Sequence, residues 1–333
     1  MRKLSKTACS GKLTNSTTME RRIIQTVIGV EGAGKRLDCY LAARFTYLSR
    51  TGWQREIREG KITVNGMNSG DRSRKLQEGD TVSYDGRGIE EPPVDMSYSV
   101  LFEDDQLIAV AKSGNLPTHP SGRYFHNTLL MSLRQSMGVE LHPLHRLDRE
   151  TSGVILFSKD SMTTSRFQRA LTRAMKTYIA LVEGHVREKA FDVDIPVGYD
   201  PASAIRKKRV ASESAAESAF TRIERIAAFE DTTLIRAIPA TGRLHQIRVH
   251  CAWAGHPIVG DKLYGPDEGR FLRFIRGERE DVPPVFHRTA LHSRKYTFEH
   301  PATGEIISVK APLPDDMKQL IASKKAARSW QTL

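Results

Sequence analysis

The chain is poor in cysteine. Its three, Cys9, Cys39 and Cys251, lie far apart in 333 residues and form no CxxC pair. That excludes a disulfide framework and a cysteine-built zinc cluster, and it points to a reducing compartment, the cytoplasm. Long apolar runs are missing too. No stretch of 18 hydrophobic residues occurs, so no segment is expected to span a membrane. Acid is also in deficit: 39 Asp and Glu face 51 Lys and Arg, a formal net charge of +12. A surplus of that size favours a polyanionic partner, because each cation laid on a phosphate releases bound counterions. The first 22 residues carry six basic groups and one acid, Glu20, without the apolar stretch of a secretory signal.

What is present suffices for two units with separate cores. Residues 1–30 read as a loose basic arm. After it, Leu37, Tyr40, Leu41 and Phe45 fall on one helical face. Ser49 is placed to cap a second helix anchored by Trp53 and Ile57, and Gly60 stands where a left-handed stop belongs. Ile62 and Val64 alternate with polar neighbours and run into Asn65-Gly66, a two-residue hairpin signal, with a further strand over 81–84. Gly86, Gly88, Pro92 and Pro93 interrupt every periodicity. The boundary therefore falls there, between a small α/β unit over 31–88 and a larger one over 94–320, with 321–333 as a tail.

In the larger unit, strands are expected over 98–103, 107–111, 154–157, 178–182, 218–226 and 232–238. A helix is expected over 160–176 with the stripe Phe167, Leu171 and Met175, and a hairpin over 288–310 turning at Thr303-Gly304. The elements do not alternate as βαβ units. The fold class is therefore α+β with a mainly antiparallel mixed sheet.

The chemistry concentrates in His145-Arg146-Leu147-Asp148-Arg149-Glu150-Thr151-Ser152-Gly153, which enters the apolar strand 154–157. Cations on both sides of Asp148 favour its ionised form, as a nucleophile requires. An Arg-Asp pair that merely pins the loop is the competing reading. His145, His245, His250 and His256 have spacings that fit no zinc ligand set, so no metal is expected.

HRLDRETSG resembles the signature of the RluA-type pseudouridine synthases, and three further blocks match that family in order. Residues 176–184 (KTYIALVEG) resemble the segment that supplies its active-site tyrosine. Residues 242–250 (GRLHQIRVH), followed by 255–261 (GHPIVGD), resemble the segment that supplies its active-site arginine. Residues 300–304 and 311–314 resemble its C-terminal hairpin and exit, and residues 36–84 are similar to an S4-type RNA-binding module. One position departs: Leu244 stands where the family usually has threonine.

The resemblance implies an isomerase that converts uridine to pseudouridine in structured RNA, ribosomal or transfer, without a cofactor; a monomer is expected. It assigns Asp148 as the catalytic carboxylate and pairs Arg248 with it. Tyr178 would stack on the uracil and assist loss of the C5 proton. On a helix over 244–254, Leu244, Ile247, Cys251 and Ala254 would form the buried stripe and leave Arg248 facing a cleft. Arg146 would hold phosphate or fill the stack left by a flipped base, unless it braces the loop through Glu150. Arg50, Arg55, Arg58 and Lys61 form a basic face suited to RNA phosphates. Two rivals stand beside this reading. An N-glycoside hydrolase needs a second, acid-tuned carboxylate, and a non-catalytic RNA-binding factor needs no Asp148-Tyr178-Arg248 set.

Overall fold

The computed structural model describes residues 23–45, 48–86, 90–203, 205, 208–265, 269 and 285–330. Residues 1–22 of the expected arm and 331–333 of the expected tail lie outside them. The described residues divide into two compact units: those within 23–93 and 119–131, and those within 94–118 and 132–330.

In the smaller unit, β1 (Ile23–Val27), α1 (Leu37–Arg44), α2 (Arg50–Arg58), β2 (Ile62–Val64), β3 (Met67–Asn68) and β4 (Thr81–Asp85) form two helices and an antiparallel sheet of order β1-β4-β2-β3. Local chemistry sets the corners. Ser49 Oγ accepts the Gly52 N–H at 3.1 Å and caps α2. Asn65 and Gly66 take φ of 55° and 77°, the two positive angles a tight hairpin demands. Trp53, fully buried, packs edge-on against Tyr84 at 4.9 Å and joins Leu37, Leu41, Ile57, Ile62 and Val82 in one core. The arm expectation needs correction. Ile23–Val27 pairs along Thr81–Asp85, because Ile24 can then bury against this core instead of facing water.

The larger unit holds β5 (Tyr98–Glu103), β6 (Leu107–Lys112), β7 (His142–Pro143), β8 (Ser152–Ser158), β9 (Met175–Glu183), β10 (Ala190–Asp194), β11 (Val197–Tyr199), β12 (Arg209–Ala211), β13 (Phe220–Ala228), β14 (Thr232–Pro239), β15 (Leu291–Glu299) and β16 (Ile306–Lys310). Its helices are α4 (Ser161–Thr172), α5 (Gln246–Trp253) and α6 (Asp315–Trp330), while α3 (Leu129–Met137) spans the division between the units. Ten strands make one sheet of order β10-β13-β14-β9-β15-β8-β6-β5, with β16 on β15 and β7 on β8. Every pairing in it is antiparallel except β15 with β8, so the fold is α+β with a mainly antiparallel mixed sheet. β8 is buried along its whole length, and Phe167 and Leu171 of α4 pack into the core formed by Leu107, Val154, Leu156 and Phe298.

Two boundaries differ from the sequence reading. α4 stops at Thr172, and Met175, 61% exposed, opens β9 opposite Thr297. Ladder hydrogen bonds to β15 outweigh the 3.6-residue period there. The expected tail over 321–333 is largely the second half of α6, whose Leu320 and Ile321 are buried.

Candidate active site

β15 lies between β8 and β9 and fixes the register of the site. Its Ser293 stands opposite Gly153 of β8 and opposite Tyr178 of β9. Gly153 has φ of 111°, and an added Cβ would overlap the Ser293 carbonyl oxygen, so this close approach requires glycine. The loop that leads into β8 is thereby set beside Tyr178. It is held from beneath as well. Thr118 Oγ1 donates to the Leu147 carbonyl at 3.1 Å, and buried Lys112 donates to the carbonyls of Ser113 at 2.8 Å and Arg149 at 3.1 Å.

Asp148 sits in a cavity of about 360 Å³ with Arg146, Lys176, Tyr178, His245, Arg248 and Tyr296 among its walls. A volume of this size takes one nucleoside. The carboxylate keeps 26% of its side-chain surface exposed and accepts Arg248 Nη1 at 2.7 Å. Burial alone would raise its pKa, but the Arg248 guanidinium outweighs that, with Arg146 behind it, and holds Asp148 below its ordinary value. His245 is pushed down to about 4 by burial, so near neutral pH it adds no charge to the pair.

Arg248 is buried between two carboxylates. Its Nε and Nη2 donate to Asp261 at 2.6 and 2.8 Å, a bidentate clamp that leaves Nη1 for Asp148. Asp261 in turn accepts the backbone N–H groups of Leu263 and Tyr264 at 3.0 and 3.1 Å. Burial works against the Arg248 charge, yet the two carboxylates raise its pKa well above the usual arginine value. The site is therefore a fixed Asp148–Arg248–Asp261 chain with one carboxylate turned to the cavity. Such an arrangement favours the ionised carboxylate and sets it in a cavity that Leu144, Leu147 and Leu291 also line.

A family model described as RNA pseudouridylate synthase matches residues 106–253. Ribosomal large subunit pseudouridine synthase C of Yersinia pestis is 33% identical over 92% of this chain and 97% of its own length. This chain belongs to the RNA pseudouridine synthase family. Its members isomerise uridine to pseudouridine, and its sequence blocks are those of the RluA type. The mitochondrial tRNA pseudouridine(32) synthase of Saccharomyces cerevisiae is 32% identical over 65% of this chain and 47% of its own length. The solved structure of human RNA pseudouridylate synthase domain containing 1 shares the fold, with a TM-score of 0.55 and 23% identity over 71% of this chain and 98% of that one.

Of the synthase residues expected from the sequence, Asp148, Tyr178, Arg248 and Arg146 line this one cavity. Arg146 is exposed, while Glu150 pairs with Arg149 at 3.1 Å and Lys262 at 3.0 Å. The loop is thus braced by those two cations. Arg50, Arg55, Arg58 and Lys61 belong to the smaller unit. Arg50 pairs with buried Asp38 at 3.0 Å, and Lys61 reaches Glu59 at 2.7 Å and Glu56 at 3.0 Å. Arg55 and Arg58 are exposed, and Arg55 has only longer contacts, 3.7 Å to Glu56 and 3.9 Å to Glu59.

The helix carrying Arg248 begins at Gln246, two residues later than expected, so half-buried Leu244 precedes it. His245 takes φ of 60°, a left-handed backbone rare outside glycine. Its Nδ1 meets the Tyr264 hydroxyl at 2.7 Å, and that hydroxyl already accepts the Arg209 N–H at 3.0 Å. The other ring nitrogen, Nε2, faces Asp148 at 3.7 Å. Sequence reasoning missed His245, Lys176 and Tyr296, and gave Asp261 no part in the site. Asp261 accepts two backbone N–H groups at a turn, and no spacing rule announces that it also clamps Arg248. The Tyr178 hydroxyl lies 3.1 Å from that of Tyr296, and burial raises its pKa above the ordinary phenol.

Proposed function

We propose that this synthase converts a uridine of ribosomal or transfer RNA to pseudouridine with Asp148 as its catalytic carboxylate and no cofactor. The observation that carries the reading is the ionised Asp148, paired with Arg248 on one side and open to a nucleoside-sized cavity on the other. The reaction breaks the bond from uracil N1 to C1′ and forms one from C5 to C1′. The C5 proton leaves and N1 gains one, so nothing beyond the RNA is consumed. Addition of the carboxylate to C1′ and proton removal from the ribose toward a glycal both require the charged form.

Tyr178 is held protonated, so it serves first as a surface for the uracil ring. A hydrolase would need a second carboxylic acid in the cavity. The nearby candidate, Asp261, is fully buried and spends its oxygens on Arg248 and two N–H groups. The smaller unit acts in this reading as an S4-type RNA-binding module, with Arg55 and Arg58 on phosphates.

The testing experiment maps pseudouridines in total RNA from cells with the gene, without it, and carrying Asp148→Asn. The proposal expects one or more ribosomal or transfer RNA sites to vanish in the second and third. Sites that persist in all three would sink it.

A further inference from the structure

A second cavity, of about 230 Å³, is lined by Arg209, Trp253, Tyr264 and Asp200 among others. It is made where the β11–β12 hairpin packs on α5 through Val197, Ala211, Val249, Leu263 and Tyr264. Arg209 is 9% exposed, and its Nε and Nη1 are sealed from solvent without an acceptor among the described residues. A buried guanidinium with idle donors is costly unless something supplies the acceptor. Asp200 does not, since it lies 3.5 Å from Lys208 and accepts the Ala202 N–H at 3.1 Å.

The surroundings suit a nucleotide. The Arg209 guanidinium lies 3.6 Å over the ring of Tyr199, its cross-strand partner, and Tyr199 is 69% exposed. Trp253, on the last turn of α5, is 54% exposed. Exposed aromatic rings beside an arginine form a stacking platform for an unpaired base, with the cation left for its phosphate. Trp253 is five residues beyond Arg248 on one helix, about 7.5 Å along the axis. That is the scale of a neighbouring nucleotide in an extended strand.

We infer that this cavity is a second RNA subsite, which takes a nucleotide flanking the target uridine, its phosphate on Arg209 and its base on Trp253 or Tyr199. The inference rests on the RNA substrate proposed above. The cavity is linked to the reacting centre, because the backbone N–H of Arg209 donates to the Tyr264 hydroxyl, which bonds Nδ1 of His245 beside Asp148.

The test is ultraviolet crosslinking of the full chain to unfractionated ribosomal RNA and, separately, to unfractionated tRNA, with adducts placed by mass spectrometry. An adduct on the Trp253 or Tyr199 peptide is expected with at least one pool. Arg209→Gln and Trp253→Ala should each remove it and weaken binding of that pool about tenfold, whereas Trp253→Phe should keep both. Thermal melting checks folding. Should Arg209→Gln fail to fold, the exposed Trp253 carries the comparison alone. Adducts elsewhere on the chain, with wild-type affinity in Trp253→Ala, would overturn the subsite and leave the RNA reading standing. No adduct and no binding with either pool would overturn both.

Discussion

Asp261→Asn is the most informative single change outside the cavity. The aspartate side chain is fully buried and accepts four hydrogen bonds, two from Arg248 and two from backbone N–H groups. Asparagine has the same shape. Its oxygen can replace Oδ1, which serves Arg248 Nη2, Leu263 and Tyr264. Its amide must then sit at Oδ2, donor against donor with Arg248 Nε at the 2.6 Å contact. Breaking a buried ion pair from one side costs about 3–5 kcal/mol. A domain of ordinary stability survives that loss. Arg248 keeps its bond to Asp148 but loses the clamp that aims it, and a misplacement of about 1 Å can lower a rate a hundredfold. The expected result is a urea midpoint well below wild type, RNA affinity within about threefold, and a single-turnover rate down about 10- to 100-fold. The rate is read as tritium released from uridine labelled at C5. With Asp261 neutral, the Arg248 charge falls wholly on Asp148, so the acid limb of the pH–rate profile should move to lower pH. A destabilised variant with the wild-type rate and profile would refute the reasoning and reduce Asp261 to a turn residue.

Three further outcomes follow from the same structure. Tyr178→Phe keeps the stacking ring and loses the hydroxyl paired with Tyr296, so RNA binding should hold within about twofold while turnover falls at least tenfold; equal losses in both would assign the hydroxyl to substrate capture. Burial lowers the pKa of His145 to about 3 and of His245 and His292 to about 4, against 6.5 unfolded. The unfolded chain therefore binds more protons in that window, and stability should fall as pH drops from 6.5 toward 4, by about 1.4 kcal/mol per pH unit for each titrating histidine; urea midpoints that stay flat across it would contradict the burial. Replacing Arg55, Arg58 and Lys61 with Gln should flatten the log–log salt dependence of RNA binding by about 1.4 to 1.8, the share of the two exposed arginines, because Lys61 is held on Glu59 and Glu56 at 2.7 and 3.0 Å whereas the contacts of Arg55 to the same glutamates are 3.9 and 3.7 Å. An unchanged slope would remove that face from the RNA path.

The sequence was most legible where local chemistry decides the backbone. Ser49, Gly60 and Asn65-Gly66 announce a cap, a stop and a hairpin, and each stands at its expected place. β8 and the β15–β16 hairpin could be read from apolar runs and a Thr-Gly turn. Legibility failed where tertiary contacts set the answer. Met175 fits the stripe of α4 but starts a strand, because β15 offers it a ladder. Ile23–Val27 is too short to signal itself without β4 beside it. In the site, ordered blocks located Asp148, Tyr178 and Arg248, while the charges that tune them come from elsewhere. Asp261 is thirteen residues from Arg248, and Tyr296 reaches Tyr178 across 118. Only the register of three adjacent strands and the turn after α5 bring such residues together.

The central claim is that the ionised carboxylate of Asp148 performs the isomerisation. It is tested most directly by Asp148→Asn, which preserves shape and removes the charge. Purified wild type and variant are incubated with the RNA whose modification depends on the gene, and pseudouridine is counted in a single turnover at saturation. The account expects no detectable product from the variant, with RNA affinity and melting temperature close to wild type. A variant that retains even a tenth of the wild-type rate would contradict it.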